Sequence, residues 1–289
     1  MVLSVSTRGL LPCLPVYCTL CAAVRVLMVS MCSVLVWSLV RPQLPSVKRY
    51  PRFATPDVGV YDDCRSWTGP GLVCYLETPE HVLVRRWIPE NATVMEFGAR
   101  FGTTTCEIAK KIKNSGRVVA VEPDSDVWAA LANNLKSHAC NAHVLRGAIG
   151  SSPLQMAPSG YASRSQLAGA LPDQRQVPMF TFDEIEAAMG LKFDTLLIDC
   201  EGCAQDMMDQ IGPRIEAGIK LILLEADMPN TGGDCQSHCM DYAKFFEFLR
   251  GAGFQQVETF NDCDRARTGA PAGTWCGAWI HHYAFKRMA

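Results

Sequence analysis

The sequence predicts an α/β fold of the Rossmann-like, doubly wound kind: a mostly parallel sheet, helices on both faces and an antiparallel carboxyl-terminal strand. Three observations lead there. Short apolar runs at 94–97, 117–121, 142–145, 195–198 and 220–224 alternate with segments of helical periodicity. Such runs are what strands buried on both faces look like. Residues 94–124 form a strand, a glycine turn, a helix and a second strand closed by an acid, Glu122. Residues 254–260 and 274–285 read as a final antiparallel pair.

The elements follow in order. Thr78 is placed to cap a helix over 79–87. Gly98 and Gly102 bracket a tight turn, and the helix over 103–113 carries Ile108, Ala109 and Ile112 on one face. A second helix is predicted over 125–137. Residues 150–177, rich in Ser, Gly and Pro, read as a long loop of the lid or binding-loop type. A short extended piece and a helix span 178–188. The apolar strand 195–198 ends at Asp199, a helix is expected over 204–211, and strand 220–224 ends at Glu225 and Asp227. Tyr242, Phe245, Phe246 and Leu249 recur at helical spacing.

The glycine turn separates two ligand classes. A dinucleotide site wants G-x-G-x-x-G facing a pyrophosphate. Here the spacing is Glu96-x-Gly98-x-x-x-Gly102. An acid at 96 repels a pyrophosphate and suits a ligand with a positive amino group or sulfonium, such as S-adenosylmethionine. Glu122 is placed to accept both hydroxyls of a ribose.

The stretch Glu96-Phe-Gly-Ala-Arg-Phe-Gly102, followed by Val121-Glu122-Pro123, resembles the first two motifs of class I S-adenosylmethionine-dependent methyltransferases. The later run Phe193-Asp-Thr-Leu-Leu-Ile-Asp-Cys-Glu-Gly202 resembles the Asp-x-Glu-Gly motif of the FkbM type. The usual first motif of that family reads D-x-G-A-N-x-G, so Glu96 stands for the Asp and Arg100 for the Asn. The resemblance spans about residues 75–287. It implies strand order 3-2-1-4-5-7-6, S-adenosylmethionine as cofactor, and a hydroxyl of a sugar or small natural product as methyl acceptor. It also implies cofactor contacts from Glu96, Gly98, Ala99, Arg100, Gly102, Glu122, Pro123 and Glu201.

Asp199 is the candidate catalytic residue, because the next strand end beyond the cofactor acids lies beside the transferring methyl. It would orient the acceptor, take its proton, or hold a divalent ion. Asp199, Glu225 and Asp227 are the candidate metal ligands, though sequence supplies their oxygens and not their convergence. His238, His281 and His282 are alternative bases. Two other functions compete: a nicotinamide-dependent oxidoreductase, and a non-catalytic, membrane-tethered nucleoside-binding module.

Charge is unevenly placed. Residues 1–56 hold six basic side chains and no acid, which leaves the remainder near −8 (21 basic against 29 acidic residues). A domain of that sign is not built for a nucleic-acid backbone. Residues 17–40 are nearly continuous apolar sequence interrupted by Arg25, and the part free of charge, 26–40, is shorter than a full span of about 20 residues. A retained membrane anchor, a cleaved targeting segment and a leader without a role all fit. Residues 1–56 are therefore set apart as anchor or targeting segment plus a Pro-rich linker, and 57–289 as the catalytic domain. The expected location is membrane-anchored (endomembrane) or organelle-targeted. The basic flank after residue 40 favours a cytosolic domain, and the cysteines favour a lumen. Ten of 14 cysteines lie beyond residue 56. Cys106, Cys140, Cys200 and Cys203 are expected as core thiols. Cys64 and Cys74 flank a turn, and Cys235, Cys239, Cys263 and Cys276 cluster late in the chain, as disulfides or reduced thiols rather than zinc ligands.

Overall fold

Seven strands form the main sheet, the central ones apolar throughout and covered on both faces. They are β1 (Val94–Phe97), β2 (Val118–Glu122), β3 (His143–Arg146), β4 (Thr195–Ile198), β5 (Leu221–Ala226), β6 (Phe254–Asn261) and β7 (His281–Arg287). Their spatial order is β3-β2-β1-β4-β5-β7-β6, the order the family resemblance implies. Strands β3, β2, β1, β4 and β5 run parallel, and β7 is antiparallel to both β5 and β6. The computed structural model describes residues 66–151, 154–157, 164–167, 175–226, 240–270 and 273–288. The apolar amino-terminal segment, the linker, Cys64, Asp227, Cys235, His238 and Cys239 lie outside the described residues. Among the described residues no helix is long and apolar enough to cross a membrane.

Period-2 alternation along each strand sends side chains into two separate layers. Met95, Phe97, Leu196, Ile198, Ile222 and Leu224 pack against α4 (Phe182–Met189), α5 (Met208–Ala217) and α6 (Tyr242–Gly251) through Ile185, Ile211, Ile215, Phe245 and Leu249. Val94, Val118, Ala120, Leu197, Leu221 and Leu223 pack on the other face against α1 (Thr78–Trp87), α2 (Thr103–Lys111) and α3 (Trp128–Ser137). The helices are amphipathic in the way their spacing predicts. A Thr181–Glu184 capping box starts α4.

Several boundaries differ from expectation. Thr78 is the first residue of α1 and does not cap it; Glu77 holds that position and Pro79 follows. The segment predicted as a helix over 204–211 is a 3₁₀ turn (Cys203–Gln205) followed by α5. Only 281–287 of the last predicted strand pairs, because the preceding residues turn around Gly277 and Ile280. The predicted long loop contains short antiparallel strands, Leu154–Ala157, Arg164–Leu167 and Arg175–Gln176. Ala148–Ile149 pairs with Met179–Phe180.

The cysteines expected as core thiols are instead paired. Cys106 on α2 is bonded to Cys140 beyond α3, and Cys200 is bonded to Cys203. Cys263 and Cys276, from the late cluster, are also bonded.

Candidate functional site

The parallel strands end together, and the crevice beyond their carboxyl ends is where such sheets hold ligands. A cavity of about 260 Å3 lies there. Its apolar wall includes Phe97, Val121, Ile149, Leu154, Met179 and Met207. Its polar lining is strongly acidic: Glu77, Glu122, Asp199, Glu201, Asp206, Glu225 and Asp262, against Arg100 as the only basic residue among the described lining.

Glu122 is firmly held. It closes β2 and is buried at 3% exposure. One carboxylate oxygen accepts the Arg100 backbone N–H at 2.7 Å, and the other accepts the Asp124 backbone N–H at 2.7 Å. The Trp128 indole N–H donates to its carbonyl at 2.8 Å. The carboxylate thus links the loop after β1 to the loop after β2 and keeps lone pairs for a further donor. Burial pushes it up to about 7, against the lowering effect of the two N–H donors.

The loop after β1 is shaped by backbone geometry. Gly98 has φ +91°, and a Cβ there would sit 1.7 Å from the Asp199 carbonyl oxygen. Gly98 lines the cavity, but close passage of the β1 and β4 ends demands the glycine first. Gly102, at φ +84°, is the N-cap of α2 and would drive a Cβ into Leu131 at 2.7 Å. Arg100 lies between them at φ +39°, its guanidinium 5.0 Å from the Phe101 ring centroid. Ala99 is buried and, like Gly102, does not line the cavity.

Glu96 departs from its expected role. As the third residue of β1 it points with Val94 toward the α1–α3 layer, away from the cavity. It is wholly buried and accepts from the Thr105 hydroxyl at 2.5 Å. Burial raises its carboxyl to about 8, so near neutral pH it is a neutral acid tying β1 to α2 rather than an anion facing a ligand.

Asp199 and Glu201 line the cavity as expected. The Asp199 N–H donates to the Phe97 carbonyl at 3.0 Å, extending the β1–β4 pairing by one residue. Glu201 sits at φ +57° inside the turn closed by the Cys200–Cys203 disulfide. Pro123 also lines the cavity. Of the expected metal set, Asp227 lies outside the described residues, and Asp199 and Glu225 both line the cavity. Glu225 also joins Glu80 and His282. His281 Nδ1 lies 3.1 Å from the Trp279 carbonyl, and its ring stands 6.3 Å from that of Tyr283.

Sequence reasoning missed Glu77, Asp206, Asp262 and Trp275, all lining residues. Asp262 and Trp275 enter through the segment stapled by Cys263–Cys276. The paired cysteines were the available signal.

No curated protein matches the chain. Among solved structures it is similar to the O-methyltransferase from Bacillus cereus in complex with SAH, at 13% identity over 75% of this chain and 82% of that one, with TM-score 0.45. It is similar to fibrillarin from Aeropyrum pernix with bound S-adenosyl-L-methionine, at 13% identity over 73% of this chain and 75% of that one, with TM-score 0.44. It is also similar to precorrin-6y C5,15-methyltransferase from Geobacter metallireducens GS-15, at 14% identity over 73% and 86%, with TM-score 0.41. The family model of the methyltransferase FkbM domain matches residues 96–255, from β1 into β6 and over half of the chain. The chain belongs to the FkbM methyltransferase family.

Proposed function

We propose that the protein transfers a methyl group from S-adenosylmethionine to a hydroxyl of a sugar or small natural product. One observation carries this: the cavity at the strand ends is lined by seven carboxylates and one arginine among the described residues. That field suits a cationic ligand and opposes a pyrophosphate, so it speaks against the nicotinamide alternative. S-adenosylmethionine, when bound, supplies a methyl group on a positively charged sulfur. The residues present fit such a ligand, with Glu122 offering a fixed, buried acceptor for ribose hydroxyls beside apolar walls at Phe97, Val121, Ile149 and Met179.

The remaining work falls to this chain's own groups. Asp199, held by the sheet, orients the acceptor and takes its proton. Glu201 is proposed to face the methionine end of the cofactor from its turn. Leu154, Met179 and Trp275 narrow the access of water. Trp275 and Trp279 are about half exposed and stand edge-to-face 6.4 Å apart, an aromatic rim suited to a small organic acceptor. The acidic field also disfavours a nucleic-acid acceptor.

The experiment is methyl transfer from labelled S-adenosylmethionine to a panel of sugars, small hydroxylated natural products and RNA. The expected result is label on a hydroxyl-bearing small molecule, sensitive to Asp199→Asn. Label only on RNA would overturn the acceptor assignment.

A further inference from the structure

A second cluster of ionisable groups lies where α1 crosses the sheet. Strand alternation explains its composition. Leu221, Leu223 and Glu225 share one face of β5, and in the antiparallel register Leu223 pairs with Ala284 and Glu225 with His282. Glu225 and His282 therefore stand side by side beneath α1, which contributes Glu80. His282 has no exposed surface and Glu80 has 2%.

The geometry is convergent. His282 Nδ1 is 2.7 Å from a Glu80 oxygen and 3.9 Å from a Glu225 oxygen. One ligand atom from each of the three residues lies within 4.8 Å of the others. Both Glu80 oxygens and His282 Nδ1 are buried, and among the described residues they face only one another and Glu225. Buried polar atoms normally find partners beyond their own cluster, so ionisable groups that converge on one point and face only one another mark a place for a ligand. The other imidazole nitrogen, Nε2, is held by Asp262. A carboxylate behind a histidine in this way fixes its tautomer and aims the remaining nitrogen at a metal.

We propose that Glu80, Glu225 and His282 bind a divalent first-row transition ion, with Asp262 orienting His282. One imidazole and two carboxylates suit Mn2+ or Zn2+, whereas Mg2+ and Ca2+ favour all-oxygen shells. Charge points the same way. Glu80, Glu225 and Asp262 place three carboxylates around one imidazole. A dication here would hold the carboxylates ionised. Glu225 and Asp262 also line the cavity, so the ion would sit behind its wall. The site differs from the Asp199, Glu225 and Asp227 set expected from sequence and does not depend on the acceptor's identity.

The competing occupant is a proton shared between Glu80 and Glu225. The full-length protein, stripped with a chelator, is titrated with Mn2+, Zn2+ and Mg2+ by calorimetry. The expected result is one equivalent of Mn2+ or Zn2+, bound at least about tenfold more tightly than Mg2+. Glu80→Gln and Glu225→Gln should each weaken that binding by roughly 10- to 100-fold or more. The cobalt(II) spectrum of the unsubstituted chain requires no variant to fold. It should show nitrogen and oxygen ligation without thiolate charge-transfer bands. Failure to take up Mn2+ or Zn2+, uptake unchanged in Glu80→Gln, or thiolate bands that place the ion on cysteines would each overturn the proposal. No uptake together with a gain in stability in Glu80→Gln would assign the cluster to the shared proton instead.

Discussion

Replacing Glu122 by Ala removes the acceptor proposed for the ribose, and the structure sets the size of the effect. Hydrogen bonds to a charged group contribute about 1.5–3 kcal/mol each, and with water replacing the carboxylate at one of the two hydroxyls the net loss is about 2–3 kcal/mol. That is a rise of roughly 30- to 150-fold in the Kd for S-adenosylmethionine. The unliganded protein should also suffer. The Arg100 and Asp124 N–H groups lose their shared acceptor, so a stability loss of about 1–3 kcal/mol is expected. The pH dependence separates the two effects. Burial raises the Glu122 carboxyl to about 7, and the hydroxyl donors prefer its ionised form. Affinity in the unsubstituted protein should therefore climb as pH rises from 6 to 8, and this climb should vanish in Glu122→Gln. Calorimetry at three pH values, beside thermal unfolding of each variant, makes the test. A folded Glu122→Ala protein whose Kd stays within twofold of the original would refute the reasoning.

Other outcomes follow from the same contacts. Glu96 is raised by burial to about 8, while its unfolded value lies near 4.5. The folded state then binds the extra proton between those values, so its contribution to stability falls as pH rises through that window, by about 1.4 kcal/mol per pH unit. Urea unfolding at pH 5.5, 6.5 and 7.5 should show a shallower decline for Glu96→Gln, and identical slopes would count against a neutral Glu96. Gly98→Val should destabilise or unfold the domain rather than merely block ligand, since its Cβ meets the Asp199 carbonyl; a normal melting temperature would contradict this. Asp199→Asn should bind S-adenosylmethionine almost normally yet lose at least about 100-fold in single-turnover rate with an identified acceptor. A variant with the original rate would leave Asp199 a structural residue.

Much of the sheet was legible because its strands are covered on both faces. Continuous apolar runs such as Thr195–Ile198 and Leu221–Leu224 identify themselves, as does an acid that closes one, such as Glu122. Glu96 shows where motif spacing misleads. Its position suggested a ligand contact, but strand alternation places it with Val94 beneath α2, and that signal was present in the sequence. Gly98 carried the right residue for a different reason: the glycine serves the approach of two strand ends. The Glu80, Glu225, Asp262 and His282 group had no local signature. It depends on the β5–β7 register and on the path of α1, contacts between residues far apart in the chain. The Cys106–Cys140 pair likewise joins elements 34 residues apart. The candidate cofactor positions split for the same reason: Gly98, Arg100, Glu122, Pro123 and Glu201 line the cavity, whereas Glu96, Ala99 and Gly102 support its walls.

The central claim is that the acid-lined cavity receives S-adenosylmethionine. Calorimetric titration of the purified full-length protein with S-adenosylmethionine and, separately, NAD tests it most directly. The expected result is one equivalent of S-adenosylmethionine bound, sensitive to Glu122→Ala, and no binding of NAD. Binding of NAD in place of S-adenosylmethionine, or of neither by a folded protein, would contradict it.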